Sequence, residues 1–462
     1  MKQSNDESSP LLTAPIPTMI RKIGVPVAIG AFFNTMFNVV DTIYGGLISD
    51  EALAALSVAF PITFVIIALG FGFSIGVTSL VGNALGEGDR PTAQRIAIQS
   101  ISLSLFVGII TTFLITAVAP PLLVILGAED PDYQQMALDY INPLFFGAAF
   151  FLIVQALIGI LNALGNALPG RNFLIAGFVL NLALNPWFIF GGLGLPALGI
   201  AGIAWATVVV QFLGCLYTGF EIARSGLITR DSLRRDWVPN LPMFGRILQQ
   251  GLPNTVDIMG VSIGFFILIY YISPFGQDAV AAFGAASRIE QVALLPVLGV
   301  NTAILALTAQ NNGAGKIDRI YETLRNGLTY ATILMFTTMV LAIIFARPLM
   351  RLFSDDPEII RIGVEYIRIR SLGLIPNAIF FCGANIMRGI KLPYPPLILN
   401  MLRFIALPWL FIVIFVSWLG YGLTAIWITS VVAFLIIAIV TMMITYRLMP
   451  PQPKSLDPAA SV

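Results

Sequence analysis

The chain has 462 residues, of which 57% are hydrophobic and only 11% charged, with a formal net charge of +1 and a mean hydropathy of +0.89. That balance excludes a soluble globule of ordinary make-up, and the near-neutral charge offers nothing to nucleic acid. There is no histidine and only Cys215 and Cys382, both inside apolar stretches. A disulfide framework, a Cys-rich or HExxH metal site and the usual proton shuttle are therefore excluded, and any proton chemistry near neutral pH falls to carboxylates.

Residues 1–19 read as a polar N-terminal tail, with no short apolar core and small-residue cleavage site of a removable signal peptide. Apolar segments long enough for the ~30 Å hydrocarbon core then recur twelve times. They fall near 20–46, 53–81, 94–119, 134–160, 173–192, 198–223, 244–272, 279–307, 319–346, 359–386, 394–417 and 421–447. The expected fold is an all-α polytopic membrane protein with twelve transmembrane helices. Lysine and arginine gather on one side of these spans, among them Lys2, Arg21, Lys22, Arg90, Arg95, Arg171, the arginines of 224–246, Lys316, Arg319, Arg388, Lys391, Arg447 and Lys454. Only Arg347, Arg351 and Arg361 fall on the other, where the loops are acidic. The positive-inside bias places both termini and the 224–243 loop in the cytoplasm.

The first span carries Asp41, and an ionisable group at that depth costs ~2.5–3.5 kcal/mol on insertion-based scales, so it marks a functional site. Asn34, Asn38 and Asp41 stand at i, i+4 and i+7, a polar stripe on one helical face. Pro26 shares that helix and is a candidate hinge. Asn181 and Asn185 lie at i, i+4 on the fifth helix, and Thr207 and Gln211 at i, i+4 on the sixth. If these faces converge, they hold Asp41 in a network whose pattern depends on its protonation; the competing reading is separate helix–helix glue.

An internal repeat is visible at an offset of 227 residues. Gly24-Val-Pro26 matches Gly251-Leu-Pro253, EALAAL at 51–56 matches DAVAAF at 278–283, and NALGEGD at 83–89 matches QNNGAGK at 310–316. With a small slip, Asp130-Pro131 pairs with Asp356-Pro357, Tyr140-Ile141 with Tyr366-Ile367, Pro186-Trp187 with Pro408-Trp409, and Trp205 with Trp427. Six helices repeat, and an even number gives parallel halves about an axis along the membrane normal, as in alternating-access transporters. The boundaries expected are an N-lobe at 20–223, a charged cytoplasmic linker at 224–243, a C-lobe at 244–447 and a tail at 448–462. At positions aligned with Asn34 and Asp41 the C-half has Val261 and Leu268. Among its intramembrane charges Asp257, Arg288, Glu290 and Arg403 stand out; Asp257 is a candidate for backbone groups freed by Pro253 or a partner for Arg288. The glycine-rich loops are not phosphate cradles, because no G-x4-G-K-[S/T] occurs and each joins two membrane helices. No serine has a nucleophile's setting, so a membrane enzyme is not expected.

The Gly-Val-Pro start and VDTIYGG end of the first helix, EALAALSVAFPI, the NALGEGDRPTAQR loop and Asn181…Asn185-Pro186 together resemble the multidrug and toxic compound extrusion (MATE) transporters over about 20–447. The resemblance implies export of lipophilic, often cationic compounds against inward H⁺ or Na⁺, across the bacterial inner membrane, with no cofactor. The NorM-like branch adds a glutamate in the seventh helix and an aspartate in the tenth, where this chain has Val261 and Ala378. A first-helix aspartate with a polar N-half is more similar to the DinF-like branch, for which the family implies proton coupling through Asp41, Tyr140, Asn181, Asn185 and Thr207. Some relatives have aspartate in place of Asn185, which leaves Asp41 to titrate largely alone. The expected partners are small-molecule drugs and the bilayer, with the protein a monomer. The alternatives are a Na⁺-coupled version of the same pump, and a lipid-linked saccharide flippase, which a cationic cleft would favour.

Overall fold

A computed structural model describes residues 9–192 and 194–452; the sites expected at Lys2 and Lys454, and the tail from 453 on, lie outside the described residues. These residues form α1 (Ile16–Ile48), α2 (Asp50–Gly86), α3 (Arg90–Ile125), α4 (Pro131–Phe146), α5 (Ala148–Ala163), α6 (Leu168–Phe190), α7 (Ile200–Arg224) and α8 (Arg230–Asp236). They continue with α9 (Leu241–Ile272), α10 (Gln277–Ala293), α11 (Leu295–Gly313), α12 (Ile317–Arg351), α13 (Pro357–Ser371) and α14 (Leu374–Gly389). α15 runs over Tyr394–Trp418 through two wide π-helical stretches, and α16 over Leu423–Leu448. Among the described residues the only β pairing is an isolated bridge between Gly192 and Leu195.

Nine of these helices are long and apolar enough to cross a bilayer singly. Three bent pairs, α4–α5 at 48°, α10–α11 at 44° and α13–α14 at 45°, bring the spans to twelve. Many long apolar side chains point outward, such as Phe113 at 74% exposure, which is stable only with lipid as solvent. Two of the bends, α10–α11 and α13–α14, have a local cause in proline. Proline lacks an N–H and its ring opposes the carbonyl four residues back. Pro296 thus breaks the chain at Leu294 and Pro376 at Leu372, each of which ends its helix in αR geometry. The sequence predicts a single unbroken helix at each of these places; the difference is confined to the bend.

The repeat is written into the caps. Asp130 accepts hydrogen bonds from the amides of Asp132 (2.9 Å) and Tyr133 (3.0 Å). Asp356 does the same for Glu358 (2.8 Å) and Ile359 (3.3 Å), and both helices start with the following proline. Asp130→Ala and Asp356→Ala are each expected to cost about 1 kcal/mol, read as matching drops in thermal midpoint in detergent.

By packing, the described residues divide into two compact units. One comprises Val25–Val81 and Arg90–Met259; the other comprises the chain up to Gly24, Gly82–Asp89, and Gly260 onward. Sequence places the division in the 224–243 linker, whereas the packing divides the chain inside α1, beside Pro26, and inside α9. The close glycine contacts explain it. In the first unit the start of α9 lies on α2, with Gly72 so near Thr255 that a Cβ would fall 2.2 Å from its Oγ1. There, too, the linker is held to α3: Gln99 Nε2 donates to the carbonyls of Asp236 and Val238, and its Oε1 accepts from the Asn240 amide at 2.9 Å. In the second unit the start of α1 lies on α11, where a Cβ at Gly299 would fall 2.0 Å from the Gly24 carbonyl oxygen.

Candidate functional site

The site lies within the first unit. Beyond Arg171 and Asn172 in its first turns, the polar side chains of α6 are Asn181 and Asn185 one turn apart, and helical geometry stacks the two amides. Both are fully buried. Asn181 Nδ2 donates to Asp41 Oδ1 at 2.8 Å and Asn185 Nδ2 to the same oxygen at 2.9 Å, while Asn185 Nδ2 also lies 3.2 Å from Asn181 Oδ1. Thr207 of α7 and Tyr140 of α4 stand near enough to Asp41 to influence its carboxyl. Asp41 itself is only 8% exposed. It neither faces lipid nor, among the described residues, forms an ion pair with any lysine or arginine. Asn185 Oδ1 is buried with no hydrogen-bond partner, as is Gln211 Oε1 on α7.

The stripe expected on α1 enters this cluster only at its top. Asn38 is exposed and its amide turns back onto the Asn34 carbonyl at 2.8 Å; Asn34 is half-buried. Residues 34, 38 and 41 share a direction, but at ~1.5 Å of rise per residue Asn34 sits about 10 Å below Asp41 along the helix. α6 presents its amides at the level of Asp41 alone. Pro26 is buried within α1, which continues through it.

The C-half keeps its charges elsewhere. Asp257 is buried in α9 and Arg288 is exposed on α10. Glu290 is paired with a residue that the charge pattern alone does not single out: Arg370 of α13 donates from Nη2 to Glu290 Oε1 at 2.8 Å, and Tyr366 Oη donates to Oε2 at 2.5 Å. The signal available was the repeat itself, since Tyr366 is the counterpart of Tyr140. Arg403, 1% exposed in a π-helical turn of α15, donates from Nη1 to Asn377 Oδ1 at 2.7 Å and lies 3.9 Å from the Phe380 ring centre. Among the described residues no group of His, Cys, Asp or Glu side chains could hold a metal ion.

Up to twelve spans around a buried carboxyl ringed by neutral donors define the class: a multi-pass membrane protein with a polar site inside its helices. Comparison with known proteins narrows it. The MatE family model matches residues 26–187 and again 253–414, two copies whose starts lie 227 residues apart, so the chain belongs to the MatE family of multidrug efflux transporters. It is 26% identical over 404 residues to the FAD transporter of Shewanella oneidensis, covering 86% of this chain and 87% of that one. It is 25% identical over 414 residues to the probable multidrug resistance protein NorM of Thermotoga maritima, covering 88% and 87%. Among solved structures, a MOP superfamily transporter from Pyrococcus furiosus superposes with a TM-score of 0.88 at 26% identity, covering 97% of this chain and 98% of that chain.

Proposed function

We propose that this protein exports lipophilic, often cationic compounds across the bacterial inner membrane in exchange for protons, with both termini in the cytoplasm and Asp41 as the titrating group. The observation that supports this most directly is the asymmetry of the cluster. As a carboxylate, Asp41 can only accept, and the amides of Asn181 and Asn185 both donate to it. Once protonated it must also donate, and two buried acceptors on the helices of the site have no partner, Asn185 Oδ1 on α6 and Gln211 Oε1 on α7; of these residues Asn185 already touches Asp41 through its Nδ2. Uptake of a proton therefore exchanges one hydrogen-bond pattern for another between α1 and α6, and with no counter-ion it changes the charge of the pocket by a full unit.

In the cycle, Asp41 takes up a proton while open to the outside, the repatterned contacts pull α1 toward α6, and the helix bends at Pro26, displacing the cargo. Reorientation releases the proton to the cytoplasm, where new cargo binds. Solved MATE structures at 26% identity to this chain are described as straight and bent conformations, and the proline inside α1 gives this chain a place to bend. Each proton crossing a 100 mV potential supplies ~2.3 kcal/mol, enough to concentrate an uncharged drug exchanged one for one tens of fold, whereas a singly charged cation exchanged one for one moves no net charge and draws on the pH gradient or on a second proton. The relatives are named for multidrug resistance and, in one case, for FAD, so the family does not fix the cargo.

The test is drug-dependent proton movement in proteoliposomes at fixed membrane potential, with Na⁺ replaced by choline. The expected result is full activity in choline and collapse of export when the proton gradient is dissipated. Export that survives the loss of the proton gradient but needs Na⁺ assigns the coupling ion to sodium and removes the proton reading.

A further inference from the structure

We propose that the C-half holds an anion subsite, in which the carboxylate of an aromatic cargo molecule replaces Glu290 on Arg370. It goes beyond the proton-coupled reading, resting on it only in that the ligand is cargo, and it does not involve Asp41.

Arg370 is 6% exposed, yet its Nε and Nη1 are buried with no hydrogen-bond partner. It lines two small cavities of the same unit at once. One, of about 20 Å³, is shared with Ala286, Glu290 and Tyr366; the other, of about 10 Å³, with Phe265 and Phe434. The guanidinium lies 4.6 Å from the Phe434 ring centre, and beyond Tyr366 the aromatic wall continues into Trp427 at 4.8 Å. A planar cation backed by aromatic rings is a setting for a planar anion on an aromatic body.

The occupant of that setting is Glu290, and its side chain, at 15% exposure, is the less buried member of the pair. A cavity of about 20 Å³ holds roughly one water molecule, so no second carboxylate fits beside the first. Binding must therefore proceed by exchange at the guanidinium: the incoming carboxylate takes the Arg370 Nη2 hydrogen bond from Glu290 and can add the partnerless Nε and Nη1, while Glu290 lets go of Tyr366 and turns outward. The swap leaves Arg370 neutralised, which avoids the large penalty of a buried charge stripped of its partner. Tyr366, by donating to Glu290 at 2.5 Å, holds the internal anion in place.

The experiment is equilibrium dialysis of 2-naphthoate, with 2-naphthylmethanol as its uncharged counterpart, on the full chain in phosphatidylcholine nanodiscs. Saturable binding of the acid and not of the alcohol is expected. Glu290→Gln and Tyr366→Phe, which weaken the internal competitor, should tighten naphthoate about tenfold, the size of one charge-assisted hydrogen bond. Arg370→Gln should weaken it by at least as much, with Arg370→Lys in between. A strut that only holds α10 to α13 makes the opposite prediction, since loosening it from either side impairs binding alike. If Glu290→Gln and Tyr366→Phe weaken naphthoate, or if acid and alcohol bind equally, the subsite is overturned. Tyr366→Phe keeps every charge, so it decides between subsite and strut even where an arginine variant fails to fold. Because no gradient is applied, failure here leaves the proton-coupling test untouched, and the reverse.

Discussion

Asp41→Asn is expected to leave the protein folded and to reduce its steady-state drug gradient from tens of fold to about one. The substitution is nearly isosteric and keeps an oxygen where Asn181 and Asn185 donate, at 2.8 and 2.9 Å, so the packing of α1 against α6 is retained. What is lost is the carboxyl that the proposed cycle uses to carry the proton. Without it the ~2.3 kcal/mol that each proton carries through 100 mV has no route to the cargo, and the carrier at best equilibrates drug across the bilayer. The measurement is paired: drug-driven proton release, and accumulation of a fluorescent cation in inverted vesicles. Asn181→Ala and Asn185→Ala remove donors but not the titrating group, so they are expected to slow exchange by about tenfold, one hydrogen bond to a charged group, without uncoupling it. Full proton release by Asp41→Asn removes Asp41 from the mechanism.

The polar groups of the two halves were not equally legible in the sequence. The cost of polar groups in lipid singles out Asp41, Asn181, Asn185 and Thr207, and the helical period says which of them share a face. The period gives direction but not depth, which is why Asn38 belongs to the stripe and yet in the structure turns its amide onto its own helix at the Asn34 carbonyl. Arg370 was hidden for a different reason. It lies near the middle of a broken span with a partner 80 residues away, and nothing local separates it from the basic residues that fix topology. Tyr366, its neighbour by one turn, could have pointed to it through the repeat with Tyr140. The packing division inside α1 and α9 rests on glycine contacts between distant segments, which no local pattern encodes.

Gly86→Ala and Gly313→Ala are each expected to destabilise the protein by about 3 kcal/mol, far more than a methyl group ordinarily costs. The loops NALGEGD and QNNGAGK fail as phosphate cradles, and the structure shows what their glycines do instead. Gly88 and Gly315 take φ of +75° and +66°, the left-handed turn that ends each helix. Gly86 and Gly313 serve a crossing: a Cβ on Gly86 would stand 2.0 Å from the Gln310 carbonyl oxygen, and one on Gly313 2.0 Å from that of Asn83. The offset of 227 maps each contact onto the other, so α2 and α11 meet here by the pseudo-symmetry of the repeat. The obstacle is backbone, which cannot rotate aside. The helices must part, and with them go the bonds of Asn83 Nδ2 to the Gly389 carbonyl (2.8 Å) and of Asn312 Nδ2 to Asn83 Oδ1 (2.6 Å). Since either change opens the same crossing, the double variant should lose well under the sum of the two. Gly284→Ala on α10, where a Cβ meets nothing within 4 Å, should instead gain up to about 1 kcal/mol from helix propensity. Thermal unfolding of the four variants beside the unsubstituted protein in one detergent, followed by the loss of monodisperse material, distinguishes a tight backbone crossing from a flexible loop, in which all of these substitutions are silent.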